Sequence, residues 1–405
     1  MSESDFAFSR SLSGGKTEND GWPIWPVIDW LLSEGRMNAG IDGLVDGLAG
    51  SLVQSGAPLS RFRISVRTLH PLITARTAIW ERDGDAPKRI ESAHGLEQRP
   101  THAGSPLAEI TATRRPFRRN LRDGLTSDDH RVLHDLAAEG ATDYFGLPLA
   151  FSSGRAAVLV FVTDRTQGFL DSDLWKFQAL ASVLAPVVEV QTARDVALAL
   201  ADTYIGQRTG RRVLDGQITR GDVEHVRAAI WFSDIRGWTQ LNNTERPDVV
   251  VEQANRYFDK VATAVEANGG EILKFMGDGV LAIFPSERPQ DERSVCQNAL
   301  ESARQALRDD DHEADPVKLS FGIGLHFGDV LYGNVGSQRR LDFTVFGPAV
   351  NFAARVEGEC ANLGRSLLFT NAFAERIADK PVAVARQSLK GFDGTHELLT
   401  LGEIQ

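Results

Sequence analysis

Cysteine is scarce in this chain of 405 residues, which has only 2, Cys296 and Cys360, and no Cys-x-x-Cys pair. A disulfide framework needs several paired cysteines, so the sequence excludes one and is typical of a protein from a reducing compartment. Neither cysteine lies in the N-terminal half, which argues against a chromophore attached there through a thioether.

Long hydrophobic runs are also missing. Apolar stretches such as Ala156–Val162 fall far short of the ~18–20 residues that a membrane-spanning helix needs. The first residues, MSESDFAFSRSLSGGKTENDG, lack the apolar core of a signal peptide. We therefore expect a cytoplasmic protein with no membrane span, in which residues 1–21 form a disordered tail.

Positive charge is not in excess, because 44 Lys and Arg face 55 Asp and Glu, a formal net charge of −11. Sequence-independent nucleic-acid binding needs a basic surface, so a nucleic-acid partner is not expected. A local cluster can still bind a small anion. At ~150 residues per domain, the length predicts two or three domains.

Helical and strand patterns alternate between residues 22 and 190. We predict helices at 37–54, from Pro106 to Thr113 with Ser105 as N-cap, and from Asp171 onward, and strands at 61–67, 77–80, 144–149 and 156–162. This order resembles a GAF-type sensor domain, with a PAS-like fold as the alternative. The resemblance implies regulation by a small-molecule or protein signal, which the sequence does not identify.

Charged residues and glycines dominate residues 191–226, which we interpret as a helical connector. A buried-strand pattern, AAIWF, follows at Ala228. The predicted organisation is therefore a regulatory domain over 22–190, a connector over 191–226 and a second domain over 227–405.

Two aspartates in the second domain follow apolar strands. Asp234 ends the strand AAIWFSD, and Asp278 lies in the Gly-Asp-Gly turn between the strands 271–275 and 280–284. A predicted helix from Pro247 to Asn268 separates the two. If these strands are antiparallel neighbours, the two carboxylates lie close together.

Paired carboxylates beside a loop of free backbone N–H groups suit a divalent cation that carries a phosphate. Two such cations would stabilise both the attacking and the leaving oxygen of an in-line phosphoryl displacement. The alternative is structural, with Asp234 starting a turn and Gly-Asp-Gly forming an ordinary hairpin.

Three segments resemble the motifs of class III nucleotide cyclases: FSDIRGWT (232–239), GGEILKFMGDGVLAIF (269–284) and RRLDFTVFGPAVNFAARVE (339–357). The resemblance covers about residues 213–403. It implies an α+β fold, in which a ferredoxin-like βαββαβ core with extra strands follows the GAF/PAS-like sensor.

The resemblance also implies a role for each matching residue. Asp234, Asp278 and the carbonyl of Ile235 would bind two Mg²⁺ or Mn²⁺ ions, and the backbone of Ile235, Arg236, Gly237, Trp238 and Thr239 would contact phosphate. Lys274 and Thr344 would recognise adenine, Asn351 would orient the ribose, and Arg355 would neutralise charge on the transferred phosphoryl group. Lys390 and Arg340, with Arg339 as the alternative to Arg340, would bind the triphosphate.

Lys274 favours ATP over GTP, because its ammonium carries only donors and adenine presents an acceptor at N1. Thr344 stands where the family more often has Asp, and its hydroxyl can donate as well as accept, which weakens discrimination. The similarity to the Thr-bearing subgroup makes a bicarbonate response a further hypothesis.

The function implied is an adenylyl cyclase that converts ATP to 3′,5′-cyclic AMP and pyrophosphate. In this family the metal aspartates come from one chain and the base, ribose and arginine residues from its partner, so a homodimer is implied. Two alternatives remain: a degenerate, nonenzymatic nucleotide-binding module, and a sensor protein with guanylyl or mixed cyclase activity.

Three further patterns have ordinary interpretations. The basic cluster RRPFRRNLR (114–122) predicts a solvated or salt-bridged surface, with an anionic-ligand or partner site as the alternative. His130 and His134 are predicted to be solvated, with a metal pair as the alternative. Gly322, Gly324 and Gly328 superficially resemble a dinucleotide-binding loop, but their pattern predicts a strand.

Overall fold

A computed structural model describes residues 21–38, 40–96, 99, 101–308 and 320–402. The predicted tail, residues 1–21, lies outside them except for Gly21. The chain divides into two compact units, with the boundary between Leu200 and Ala201. Within the described ranges, no helix combines the length and the apolar character needed to cross a membrane.

The first unit is built on a six-stranded antiparallel sheet of order β3-β2-β1-β6-β5-β4. Its strands are β1 (Arg61–Arg67), β2 (Ile73–Glu81), β3 (Lys88–Ala93), β4 (Phe117–Asn120), β5 (Asp143–Ala150) and β6 (Ala156–Thr163). Its helices are α1 (Trp25–Ser33), α2 (Gly40–Gln54), α3 (Pro106–Thr113), α4 (Arg131–Ala138) and α5 (Asp171–Ile205), which crosses the boundary between the units.

Apolar residues cover both faces of this sheet. Phe62 and Ile64 of β1 belong to the larger core, which includes side chains of α1, α2 and α5. On the other face, Val160 of β6 packs in a smaller core with Ile110 of α3 and Leu133 of α4. Because strand side chains alternate, β5 and β6 contribute to both cores.

Several predicted elements of this unit are confirmed, and others were missed. Strand β1 has the predicted bounds, and Ser105 caps α3 by accepting a hydrogen bond from the N–H of Ala108 at 3.2 Å. The middle of the basic cluster forms β4, in which Arg118 pairs with Asp143 and Arg119 with Asp129, each at 2.8 Å, so the prediction of a solvated or salt-bridged surface is confirmed for these two arginines. Strand β3 was missed because its residues are mostly exposed and lack an apolar alternation.

His130 and His134 each contact the backbone of their own region. The Nδ1 of His130 accepts a hydrogen bond from the N–H of Val132 at 3.2 Å and caps α4. The Nε2 of His134 lies 3.0 Å from the carbonyl oxygen of Thr126. One ring nitrogen of each histidine is therefore engaged by a nearby backbone group.

The predicted connector is divided among several elements. Helix α5 continues past Pro186 to Ile205, and a short helix α6 (Gln207–Leu214) follows. Strand β7 (Val223–Ile235) begins five residues before the predicted start at Ala228. Its first residues are mostly exposed and pair with the far end of the long strand β10 (Phe321–Gly336), so a burial pattern could not reveal them.

The second unit has an eight-stranded sheet of order β13-β14-β12-β10-β7-β9-β8, with β11 paired to β10. The remaining strands are β8 (Glu271–Met276), β9 (Gly279–Ser286), β11 (Leu341–Phe346), β12 (Leu367–Thr370), β13 (Pro381–Gln387) and β14 (His396–Leu401). The helices are α7 (Trp238–Thr244), α8 (Pro247–Ala267), α9 (Glu292–Leu307), α10 (Pro348–Asn362) and α11 (Asn371–Ala374). The partial order β10-β7-β9-β8 is that of the predicted βαββαβ core.

Helices cover both faces of the second sheet. Trp231 of β7 packs in a core with residues of α8 and α9, whereas its neighbour Ile230 packs in a second core with residues of α10. Side chains of β7 at even positions, Asp234 among them, therefore face the α10 side.

Glycines of β10 bring α10 into direct contact with the sheet. A Cβ at Gly324 would lie 2.4 Å from the backbone nitrogen of Glu357, and one at Gly328 would lie 2.7 Å from the Cβ of Ala349. The prediction that these glycines belong to a strand is confirmed. Their role, which is to let α10 pack closely on the strand, could not be inferred without knowledge of the partner helix.

Candidate active site

Asp234 and Asp278 lie side by side at one end of the second sheet. Asp234 pairs with Gly279, the residue after Asp278, and the N–H of Ile235 donates to the carbonyl oxygen of Asp278 at 3.3 Å. Gly277 precedes Asp278 with φ of +67°, a conformation that glycine adopts without strain. The antiparallel pairing expected from the sequence thus brings the two carboxylates together.

Among the described residues, no positively charged side chain offsets the negative charge of Asp234. Burial, and then the charge of Asp278, raise the pKa of Asp234 to about 6. The Oδ1 atom of Asp234 is buried without a hydrogen-bond partner. A divalent cation would satisfy that oxygen and stabilise both charges, so the residues present fit the expected metal.

A third carboxyl group lies near the pair and was not anticipated. Burial, and then the charge of Asp234, raise the pKa of Glu357 to about 7. Its Oε1 lies over Gly322, where an added Cβ would be 2.9 Å away, and Gly322 pairs with Asp234. Among the described residues no three His, Cys, Asp or Glu side chains are placed to hold a metal, so Glu357 does not complete a ligand set.

The loop after Asp234 presents fewer free amides than expected. The N–H of Arg236 donates to the carbonyl oxygen of Ser320 at 2.8 Å, and that of Ile235 is engaged by Asp278. The guanidinium of Arg236 donates to the carbonyl oxygen of Arg365. The backbone N–H groups that remain for a phosphate are those of Gly237, Trp238 and Thr239, at the start of α7, where helical N–H groups have no intrahelical acceptor.

Lys274 and Thr344 come together through an intermediate residue. The Nζ of Lys274 lies 2.8 Å from the Oδ2 of Asp342, which is two residues before Thr344 on β11. This pair lowers the pKa of Asp342. Thr344 itself is buried, with 8% of its surface exposed. Asp342 was not among the expected site residues, although its alternation with Thr344 places both on one face of β11.

Asn351 and Arg355 are exposed and share a face of α10, since they are four residues apart. Glu357, two residues beyond Arg355, is rotated from it by about 200° around the helix axis. The helix therefore presents Glu357 toward Asp234 and presents Arg355 on the opposite side.

The expected triphosphate-binding residues lie on exposed segments. Lys390 follows Leu389, which packs in one apolar cluster with Val356 and Cys360 of α10, and it is thereby placed near that helix. Arg340 lies beside Lys274 and Thr344, the residues expected to recognise adenine, with its Nε 3.8 Å from the Oδ1 of Asp342. Arg339 is equally exposed, and the geometry does not choose between the two arginines.

Comparison with known proteins identifies the region that contains this site. Residues 222–367 match the family model of the adenylate and guanylate cyclase catalytic domain. An adenylate cyclase of Anabaena cylindrica is 32% identical over 171 residues, which are 39% of this chain and 34% of that protein. Adenylate cyclase 1 of Rhizobium meliloti (strain 1021) is 25% identical over 284 residues, 66% of this chain and 42% of that protein.

Among solved structures, a bacterial light-regulated adenylyl cyclase aligns with a TM-score of 0.47 and 22% identity, covering 62% of this chain and 84% of that one. The chain spans about a third of the length of the first curated relative and 42% of the second. It is residues 222–367 that match the adenylate and guanylate cyclase catalytic domain.

Proposed function

We propose that this protein is an adenylyl cyclase, which converts ATP to 3′,5′-cyclic AMP and pyrophosphate in a homodimer. The observation that carries the proposal is the Asp234–Asp278 pair, with its unsatisfied buried oxygen. Asp278 lies in the turn of the β8–β9 hairpin, which also bears Lys274, the side chain proposed to face the base. Both curated relatives described above are named adenylate cyclases, which supports the choice of reaction.

The carboxylates of Asp234 and Asp278, with the carbonyl of Ile235, are the groups that would hold two Mg²⁺ or Mn²⁺ ions. Bound there, such ions supply charge neutralisation at the α-phosphate and activation of the ribose 3′-hydroxyl. The backbone N–H groups of Gly237, Trp238 and Thr239 bind phosphate oxygens. Because the protein forms no covalent bond to the nucleotide, its contribution is positioning and charge stabilisation.

Selection of ATP depends on Lys274 and Thr344. Lys274 donates to adenine N1, and the Thr344 hydroxyl accepts from the adenine amino group. Guanine presents a donor at the edge that Lys274 faces, so GTP leaves two donors opposed and unpaired. Asp342 holds the ammonium of Lys274 in place for this contact.

Two copies of the chain are needed to complete each site. On α10, Arg355 lies on the side opposite Glu357, and Glu357 is the residue near Asp234. Arg355 of one protomer therefore serves nucleotide bound to the aspartates of the partner, where its planar guanidinium meets the oxygens of the transferred phosphoryl group. Asn351, on the same face, orients the ribose, and Lys390 and Arg340 bind the triphosphate.

Exposed apolar side chains support an interface beside this site. Phe275 and Met276 of β8 are 50% and 39% exposed, and Leu341 and Phe346 of β11 are 37% and 42% exposed. They flank Lys274 and Thr344 in sequence. Apolar side chains concentrated in this way mark a surface that a partner covers.

The first unit is proposed to be a GAF-like regulatory domain over residues 22–190, with a PAS-like fold as the alternative. Its six-stranded sheet, with helices on both faces and a long helix leading out, supports a sensor role. The connector, residues 191–226, would transmit an unidentified small-molecule or protein signal to the cyclase domain over 227–405. We also propose a cytoplasmic location, on the scarcity of cysteine.

The test is turnover by the purified full chain. With Mn²⁺ and ATP it should form cyclic AMP and pyrophosphate, and Asp278→Ala should abolish the reaction. Cyclic GMP formed from GTP at a higher kcat/KM would establish the guanylyl alternative. Nucleotide binding without turnover, in a protein shown to be dimeric, would establish the nonenzymatic alternative.

A further inference from the structure

Three polar side chains form a buried cluster between α6 and the start of β8, and we refer to Thr209, Glu271 and Tyr332 as the Thr209 cluster. They are 0%, 7% and 1% exposed. Glu271 Oε1 accepts from the N–H of Thr209 at 3.0 Å and from its hydroxyl at 2.6 Å, and Glu271 Oε2 accepts from the Tyr332 hydroxyl at 2.7 Å. The two hydroxyl oxygens are 3.1 Å apart.

Glu271 is buried, although glutamate side chains are rarely buried without an ion-pair partner. In the described chain it forms no ion pair, so its carboxylate depends on neutral donors from α6 and β10. Removing one of these donors leaves a buried charge short of partners, which is costly. Well-packed apolar residues would join α6 to the sheet at a lower cost in free energy. The polar cluster is therefore better explained by a role in fixing the position of α6 on the sheet.

Helix α6 is itself held against the preceding helix. A Cβ at Gly210 would lie 2.9 Å from the carbonyl carbon of Ala201, in the last turns of α5. Gly206, between the two helices, has φ of +97° and allows the sharp change in direction. The end of α5, helix α6 and the first residue of β8 are thus linked by direct contacts.

Strand β8 links this cluster to the proposed active site. Glu271 pairs with Ile283 of β9 and Lys274 with Leu281, so the two side chains face the same side of the sheet two positions apart on β9. The turn with Asp278 follows at the end of β8. A displacement of α6 therefore changes the position of β8 from its first residue.

We propose that Glu271 is a positioning residue, which with Thr209 and Tyr332 couples α6 to β8 and thereby sets the positions of Lys274 and the Asp278 turn. This inference rests on the proposed cyclase function only for its effect on turnover. It adds to that function a defined point at which the connector acts on the catalytic domain.

The test compares two isosteric substitutions in the full chain. Thr209→Val removes the hydroxyl that joins α6 to Glu271, and Thr400→Val removes a buried hydroxyl that donates to the Leu367 carbonyl at 2.8 Å, away from β8. Both should lower Tm to a similar extent. Only Thr209→Val should speed amide hydrogen exchange in residues 272–276, lower kcat with Mn²⁺ and ATP by about tenfold and reduce the preference for ATP over GTP.

The conservative variants complete the test. Thr209→Ser keeps the hydroxyl and should restore exchange and kcat to near wild type, whereas Glu271→Gln should behave as Thr209→Val. Equal exchange in β8 for Thr209→Val and Thr400→Val would overturn the coupling. Faster exchange with unchanged kcat and selectivity would overturn the positioning role, and a wild type that exchanges as expected but forms no cyclic nucleotide would overturn the proposed function alone.

Discussion

The ammonium of Lys274 and the carboxylate of Asp342 lie 2.8 Å apart, although they belong to β8 and β11, which are not neighbours in the sheet. Arg340 approaches the other oxygen of the same carboxylate at 3.8 Å. We therefore expect Asp342 to orient Lys274, the side chain on which the proposed choice of base depends.

Asp342→Asn tests this orientation. The pair is half exposed, so we expect a stability loss under about 1 kcal/mol. The ratio of kcat/KM for ATP to that for GTP should fall about tenfold, because Lys274 is no longer fixed opposite adenine N1. Asp379→Asn, which removes a carboxylate from Arg304 elsewhere in the same unit, is the control and should leave the ratio unchanged. Equal ratios in all three proteins would contradict the assignment.

Asp234→Asn separates metal binding from folding. Without metal, the substitution removes one of two neighbouring carboxyl groups, so Tm in the presence of EDTA should stay the same or rise. Wild-type protein should gain Tm on addition of Mn²⁺, because a ligand that binds only the folded state stabilises it, and the variant should not. Asp248→Asn, at an exposed carboxylate, should keep the gain. A full Mn²⁺ response in Asp234→Asn would exclude Asp234 as a ligand.

Mixing two inactive variants tests the shared site. Asp278→Ala lacks a metal ligand and Arg355→Ala lacks the proposed phosphoryl contact, so each homodimer should be inactive. A mixed dimer has one site with both lesions and one intact site, so an equimolar mixture that exchanges freely should recover about a quarter of wild-type activity. If both residues instead act within one protomer, every site in the mixture carries a lesion and no activity should return.

His326 should make stability depend on pH. Burial, and then the charge of Arg376, lower the pKa of His326 to about 4 from 6.5. Protonation of His326 therefore favours the unfolded chain: its contribution to the free energy of unfolding is constant above pH 6.5, falls as the pH drops from 6.5 to 4, and is constant again below 4. Urea denaturation of wild type and His326→Asn should show a steeper loss across this range in wild type. Parallel curves would mean that His326 titrates normally.

Two glycine substitutions should have opposite effects on stability. Gly324→Ala places a methyl group against the backbone of α10 and should destabilise the protein by several kcal/mol, since backbone cannot yield as a side chain does. Gly358, within α10, has nothing within 4 Å of an added Cβ, so Gly358→Ala should stabilise by about 0.5–1 kcal/mol. Denaturation midpoints would decide, and a stable Gly324→Ala protein would show that α10 can retreat from the sheet.

Local patterns predicted much of this architecture. The strand end at Asp234 and the turn at Asp278 follow from apolar runs and glycine turns, which act over a few residues, whereas the βαββαβ order was implied by the family resemblance. Asp342 and Glu357 could not be identified in this way, because their importance depends on contacts between β8 and β11 and between α10 and Gly322. The same holds for Arg236, whose N–H and guanidinium are engaged by carbonyl groups distant in sequence.

The contact of α10 with β10 also limits how the catalytic domain can move. Between Gly324 and Glu357 no side chain separates the two backbones, so the usual compliant layer of rotamers is missing. Helix and strand are therefore expected to shift as one rigid body. Any opening or closing of the proposed nucleotide site would then take place at the outer elements β8 and β11 or between the protomers of the proposed dimer, and Asn351 and Arg355 would move only together with the whole helix.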